Sequence, residues 1–117
     1  MTFPTPLSPP LADVIAAQFR LLAEPMRVRI LSRLREGEAS VGELVADLGT
    51  TQQNVSRHLS ILHREGVLGR RKEGNRAIYR IGDESVLELC EHVCGSVERR
   101  AAELSRLVAA PYDRSNR

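Results

Sequence analysis

Aromatic residues are scarce. They make up 3% of the 117 residues, so any core must be aliphatic, and a reading that needs aromatic platforms for single-stranded nucleic acid is weakened. No apolar run approaches membrane-spanning length, and no membrane partner is expected. The N-terminus, MTFPTPLSPP, has neither the basic start nor the apolar centre of a secretion signal. A cytoplasmic location is therefore expected, where thiols stay reduced. Cysteine occurs twice, at Cys90 and Cys94, and a permanent disulfide between them is not expected. The chain also lacks a Gly-rich phosphate loop, an HExxH pair and any nucleophile–base–oxyanion set. That argues against a thiol enzyme or metal-carrying protein.

Net charge is small at +2, but it is unevenly spread. Residues 51–81 hold seven Arg or Lys against two Glu, a net of +5 that leaves −3 elsewhere. A local basic patch on a nearly neutral chain fits a phosphate-binding surface. The same stretch has the strongest structural pattern. Leu44–Leu48 closes a short helix, and Gly49 supplies the tight turn that glycine makes at no steric cost. A second helix follows over about 51–64, with Val55, Leu59 and Leu62 on its apolar side. Thr51, Gln52, Gln53, Ser56 and Arg57 occupy the other side. Gly66 ends it, and two candidate strands, 67–73 and 77–81, flank a Gly74-Asn75 turn. Arg70, Arg71, Lys72, Arg76 and Arg80 crowd this hairpin. A helix-turn-helix followed by a basic hairpin is a winged helix.

The rest of the chain is consistent with that frame. Residues 1–9 read as a flexible arm. A first helix spans about 10–22, with Val14, Ile15, Phe19 and Leu22 as its stripe. A second starts at Pro25, a residue suited to a first turn, and stops near Gly37. Ser40 with Glu43 forms a capping-box pattern that opens the third. Asp83 is a candidate N-cap for a long last helix over about 84–109, and 110–117 reads as a flexible tail. On the last helix Val86, Cys90, Val93, Cys94, Val97, Ala101, Leu104 and Val108 recur at three, four and seven, a narrow seam like that of a coiled coil. The expected fold is mainly α with a small β-hairpin: one winged helix-turn-helix domain over 10–109 that forms a homodimer through its first and last helices.

Three pieces carry a family resemblance: LLAEPMRVRILSRL at 21–34, SVGELVADLGTTQQNVSRHLSILHREGVLGRRKEGNRAIYRI at 40–81, and the long helix after them. With them the chain resembles the ArsR/SmtB family of small bacterial winged-helix repressors. The resemblance implies a homodimer on operator DNA that an inducer releases. Inducers in the family include zinc, nickel, cobalt, cadmium, lead and arsenite, and some members sense reactive sulfur or oxidation through two cysteines. Members with a metalloid site on the helix before the turn carry a CVC-type cluster. Here that stretch is ELVADL at 43–48, and the site is absent. Residues 1–30 hold no cysteine either, which removes sensors built on the N-terminal arm. The other common site, on the last helix, uses Asp and His near its start and further His or Glu near its end; here Asp83 is present, but His92 is the one histidine that follows it.

For a duplex partner, the recognition helix is expected in the major groove. Gln52 and Gln53 suit adenine, Arg57 suits guanine, and Ser56 addresses edges or phosphates. Thr50 and Thr51 open the helix, where backbone N–H groups favour phosphate. Arg70, Arg71, Lys72 and Arg76 read as phosphate or minor-groove contacts, with Glu73 as a counter-charge or a brake on non-specific binding. His58 is expected to be structural or phosphate-facing, and His63 to face solvent. Cys90 and Cys94 share one helix face at about 5–6 Å between Cβ atoms. Two thiolates there can hold a soft ion such as arsenite, cadmium, mercury or zinc, with a second copy of the chain supplying more sulfur. Two alternatives stay open. The cysteines pack as small hydrophobes in a repressor with no metal site, or they sense reactive sulfur or oxidation. A dimeric module without DNA binding is disfavoured by the glutamines and the basic wing.

Overall fold

The computed structural model describes residues 3–109, in the order α1 (Pro9–Leu22), α2 (Pro25–Arg35), β1 (Ala39–Ser40), α3 (Val41–Leu48), α4 (Gln52–Arg64), β2 (Leu68–Glu73), β3 (Arg76–Ile81) and α5 (Glu84–Ala109). The expected tail at 110–117, and the first two residues of the expected arm, lie outside the described residues. The helix starts follow from local chemistry. Ser8 accepts from the Leu11 N–H and Pro9 fills the first turn of α1, one residue earlier than the sequence pattern places it. Pro25 does the same for α2, where its missing N–H leaves no bond unmade. Ser40 and Glu43 form the full capping box of α3.

Two cross-links fix α2 against α3. Arg33 Nε pairs with Asp47 Oδ2 at 2.7 Å, and Arg29 Nη2 donates to the Leu48 carbonyl at 3.0 Å, which satisfies one orphan acceptor at the end of α3. Gly49 then takes φ 64° and turns the chain into α4. The core is aliphatic as expected: Ile30, Leu31, Leu44, Val55, Leu59, Leu62 and Val67 are fully buried, and Tyr79 is its one buried aromatic among the described residues.

The sheet has three strands, not the two of a simple hairpin, in the order β1-β3-β2. The strand β1 has only two residues, Ala39 opposite Tyr79 and Ser40 opposite Ile78, too few to show a period-2 pattern in the sequence. It ties the segment entering α3 to the wing. The hairpin pairs Leu68 with Ile81 through Glu73 with Arg76, so β3 begins at Arg76, one residue before the expected strand. Gly82 closes the hairpin tightly. A Cβ there would lie 2.9 Å from the Gly69 nitrogen and 3.0 Å from the Leu68 carbonyl carbon.

The chain divides into two compact units at Glu84. The second contains α5, 26 residues or about 39 Å long. Its seam residues Val93, Val97 and Leu104 are each more than half exposed, as is Val108. In the first unit, Val14 and Phe19 on α1 are also exposed.

Candidate nucleic-acid interface and the cysteine pair

Helix α4 presents two chemically distinct sides. Val55, His58, Leu59 and Leu62 are buried, while Thr51, Gln52, Gln53 and Arg57 are exposed and Ser56 is half-buried. Thr51 is the N-cap and not the first helical residue; its Oγ1 accepts from the Asn54 N–H at 3.1 Å. The half-buried Thr50 accepts from Asn54 Nδ2 at 3.2 Å. Arg57 Nη2 donates to Asn54 Oδ1 at 3.1 Å. Asn54, which sequence reasoning passed over, therefore orders both the start of the helix and its arginine. The signal was its position three residues before Arg57, a spacing that makes neighbours on a helix.

His58 lies on the underside of this helix, 1% exposed. It is structural, and it does not face phosphate. Its Nδ1 accepts from Arg27 Nε at 3.1 Å, and Arg27 Nη1 donates to the Leu21 carbonyl at 3.0 Å. One arginine thus joins the ends of α1 and α2 to the recognition helix. With Nδ1 accepting, the neutral ring carries its proton on Nε2, so the Arg57 Nη2 found 3.2 Å away cannot donate to it. Burial, then the cations Arg57 and Arg27, hold the His58 pKa below its ordinary value; Glu24 opposes them weakly. His63 departs from expectation. It is half-buried, with its ring edge-on to Tyr79 at 6.4 Å between centroids.

In the wing, Arg70, Arg71, Lys72, Arg76 and Arg80 are all exposed. Period-2 alternation puts Arg71 and Glu73 on one strand face and Arg70 and Lys72 on the other. Two of the arginines are engaged. Arg71 Nη2 pairs with Glu38 Oε1 at 2.6 Å, and its Nη1 with Glu73 Oε2 at 2.8 Å. Arg76 Nη2 pairs with Glu43 Oε1 at 2.8 Å. The hydrogen bond from Arg71 holds the Glu38 carboxyl below the usual carboxylate range, and the Ser40 hydroxyl and N–H do the same for Glu43, helped by Arg76. Sequence reasoning assigned no role to Glu38, which stands 33 positions from its partner. A cleft of about 430 Å³ brings the parts together: Ser40 and Gly42 at the start of α3, Gln52 at the start of α4, and Asn75 and Arg76 at the wing tip all line it.

On α5, Cys90 is half-buried and Cys94 exposed, both as free thiols. The Cys94 thiol donates to Glu98 Oε1 at 3.7 Å. Burial, with a smaller push from Glu91, raises the Cys90 thiol pKa. Among the described residues no group of three or more His, Cys, Asp or Glu gathers to hold a metal ion.

Comparison with known proteins places this architecture. The family described as bacterial regulatory protein, arsR family, matches residues 24–68. The uncharacterized HTH-type transcriptional regulator Rv0081 of Mycobacterium tuberculosis is 43% identical over 83 residues, 70% of this chain and 73% of that one. The chain belongs to the ArsR family. The crystal structure of Rv0081 shares the ArsR-family fold with a TM-score of 0.69 at 40% identity, over 87% of this chain and 100% of that one. The AntR antimony-specific transcriptional repressor matches with a TM-score of 0.76 at 31% identity, over 83% and 88% of the two chains. The homodimeric winged helix-turn-helix DNA-binding domain Mb0332 of Mycobacterium bovis gives 0.69 at 30%, over 84% and 91%. This ArsR-family member is thus a winged helix-turn-helix transcriptional regulator and not an enzyme.

Proposed function

We propose that this protein is a homodimeric repressor that binds double-stranded operator DNA through α4 and the wing, and is released when a soft metal or metalloid ion, or another thiol reagent, engages Cys90 and Cys94. One observation carries the DNA half of this reading: the start of α4 and the tip of the wing line a single cleft, with Gln52 beside Arg76 and Gln53 and Arg57 exposed on the same helix. A major groove receiving α4 meets two amides suited to adenine and a guanidinium suited to guanine. The Thr50 and Thr51 hydroxyls and the wing cations Arg70 and Lys72 reach for phosphate. Exposed Val14 and Phe19 on α1, and Val93, Val97 and Leu104 on α5, support a dimer. A two-fold dimer reads half-sites about one helical turn apart.

The donor chemistry supports the inducer half. Two sulfurs one helical turn apart suit a thiophilic ion such as arsenite, cadmium, mercury or zinc. Burial raises the Cys90 thiol pKa, and an ion that binds there must displace the thiol proton. One chain offers two sulfurs, and a second copy brings the same pair to a shared seam. That a structural neighbour is an antimony-specific repressor supports the same ligand class.

The test is fluorescence anisotropy of the protein on DNA from its own promoter, titrated with arsenite, cadmium, zinc and a polysulfide donor, for the wild type and Cys90→Ser/Cys94→Ser. Release by one of these, abolished in the double variant, supports the reading. DNA binding that ignores all four reagents in both proteins reduces the cysteines to packing. Release by the polysulfide donor alone assigns reactive sulfur as the signal.

A further inference from the structure

The wing holds its arginines in an unusual way for a surface that must attract phosphate. Arg71 is bracketed by two carboxylates: Glu38 from the segment before β1, through Nη2 at 2.6 Å and Nε at 3.5 Å, and Glu73 from its own strand at 2.8 Å. On β3, Arg76 is held by Glu43 of α3 at 2.8 Å. The three-group cluster around Arg71 sums to −1, so a phosphate approaching it meets no net attraction. The two carboxylates from outside the wing both come from the segment that β1 ties to β3. The pairing is therefore set by the fold and not by a chance side-chain encounter.

We propose that Glu38 and Glu73 are specificity-determining residues. They act as internal counter-ions that compete with the DNA backbone for Arg71. On random DNA, only phosphate attraction is available to free Arg71, and exchanging two carboxylates for one phosphate gains little. On a matched operator, base contacts from α4 seat the duplex closely enough for the exchange to occur. The carboxylates thus suppress binding to random sequence more than binding to the operator, and widen the ratio between the two. Glu43 does the same for Arg76, but it also closes the α3 capping box and is a poor residue to test. The proposal rests on the DNA-binding reading above.

The experiment compares the full-length wild type, Glu38→Gln, Glu73→Gln, Arg71→Ala and Glu38→Gln/Arg71→Ala, each on random-sequence duplex DNA and on promoter DNA over a salt series. Removing one carboxylate should tighten random-sequence binding about two- to fivefold and steepen the plot of log affinity against log salt by about one unit. Promoter affinity should change less. Arg71→Ala should cost more in the Glu38→Gln background than in the wild type, because the freed guanidinium then meets phosphate. Weaker binding in both Gln variants, or an unchanged salt slope, overturns the proposal and makes Glu38 a positioning residue for the wing. Wild-type binding with no salt dependence overturns the DNA-binding reading as well, which separates the two failures. Because Glu38 and Glu73 are both exposed, neither Gln variant disturbs the core.

Discussion

Acid should weaken this fold through one side chain, His58. Its ring is 1% exposed, and its Nδ1 accepts from the Arg27 guanidinium at 3.1 Å. Protonation turns that acceptor into a donor facing a donor, beside two arginines. The folded state therefore resists the proton, and the His58 pKa is lowered, chiefly by burial. The unfolded chain binds protons more readily in this window, so stability rises with pH through it. The contribution is fully present above the unfolded histidine value of about 6.5 and is lost as pH falls from there toward the lower folded value. The slope cannot exceed about 1.4 kcal/mol per pH unit for one proton, so the most His58 can remove between about pH 7.5 and about pH 5 is roughly 2 kcal/mol. For a domain of this size that is a fall of up to about 8 °C in Tm.

The assay is thermal and urea unfolding of wild type and His58→Gln at fixed protein concentration, since the proposed dimer would couple Tm to concentration. A glutamine oxygen still accepts from Arg27 but takes up no proton. Glu38 and Glu43 titrate below the usual carboxylate range, and their contribution is lost only in a more acidic window. The wild type should lose stability faster than His58→Gln as pH drops below about 6.5. Two curves that run parallel from pH 7.5 to pH 5, or a wild type that gains on the variant in acid, would refute the reasoning from the buried ring.

Arg57→Ala should weaken promoter binding by about 1–3 kcal/mol and relax base preference at one position of each half-site, read by anisotropy across single-base operator variants. Gly82→Ala should destabilise the first unit by about 1–3 kcal/mol in thermal unfolding, because its Cβ meets the backbone of residues 68 and 69 and not a side chain that can swing away. Ser40→Ala removes the hydroxyl that accepts from the Glu43 N–H at 3.2 Å. It should cost about 1 kcal/mol by loss of the cap, measured in urea.

Most of the fold could be read from the chain because its punctuation is local. Ser8, Ser40 and Thr51 start helices through bonds within three residues of themselves, Pro25 fills a first turn, and Gly49 and Gly74 turn at positive φ. Apolar spacing then identified the buried side of α4, with Val55, Leu59 and Leu62 fully buried. What stayed hidden depends on distant partners. The strand β1 is two residues long and exists only because β3 offers it an edge. His58 looks polar in sequence, yet it occupies an apolar face because Arg27, 31 positions earlier, supplies its hydrogen bond. Without that donor the buried ring nitrogen would be unsatisfied and costly.

The wing shows why residue type alone misstates an electrostatic surface. Counting charges between 51 and 81 gives +5, and on that count every arginine of the hairpin looks equally ready for phosphate. The fold divides them. Arg71 is shared between Glu38 and Glu73, and Arg76 is held by Glu43, while Arg70 and Lys72 lie on the other strand face. Surface pairs of this kind add little to stability, because water already solvates both partners. In the proposed complex their effect falls on binding, where a phosphate must displace a carboxylate before it gains a contact. Glu38 and Glu43 flank a β1 strand that contributes two residues to the sheet. The shortest element of the fold is therefore the one that brings these carboxylates to the wing, and it does so while its own two residues, Ala39 and Ser40, are buried.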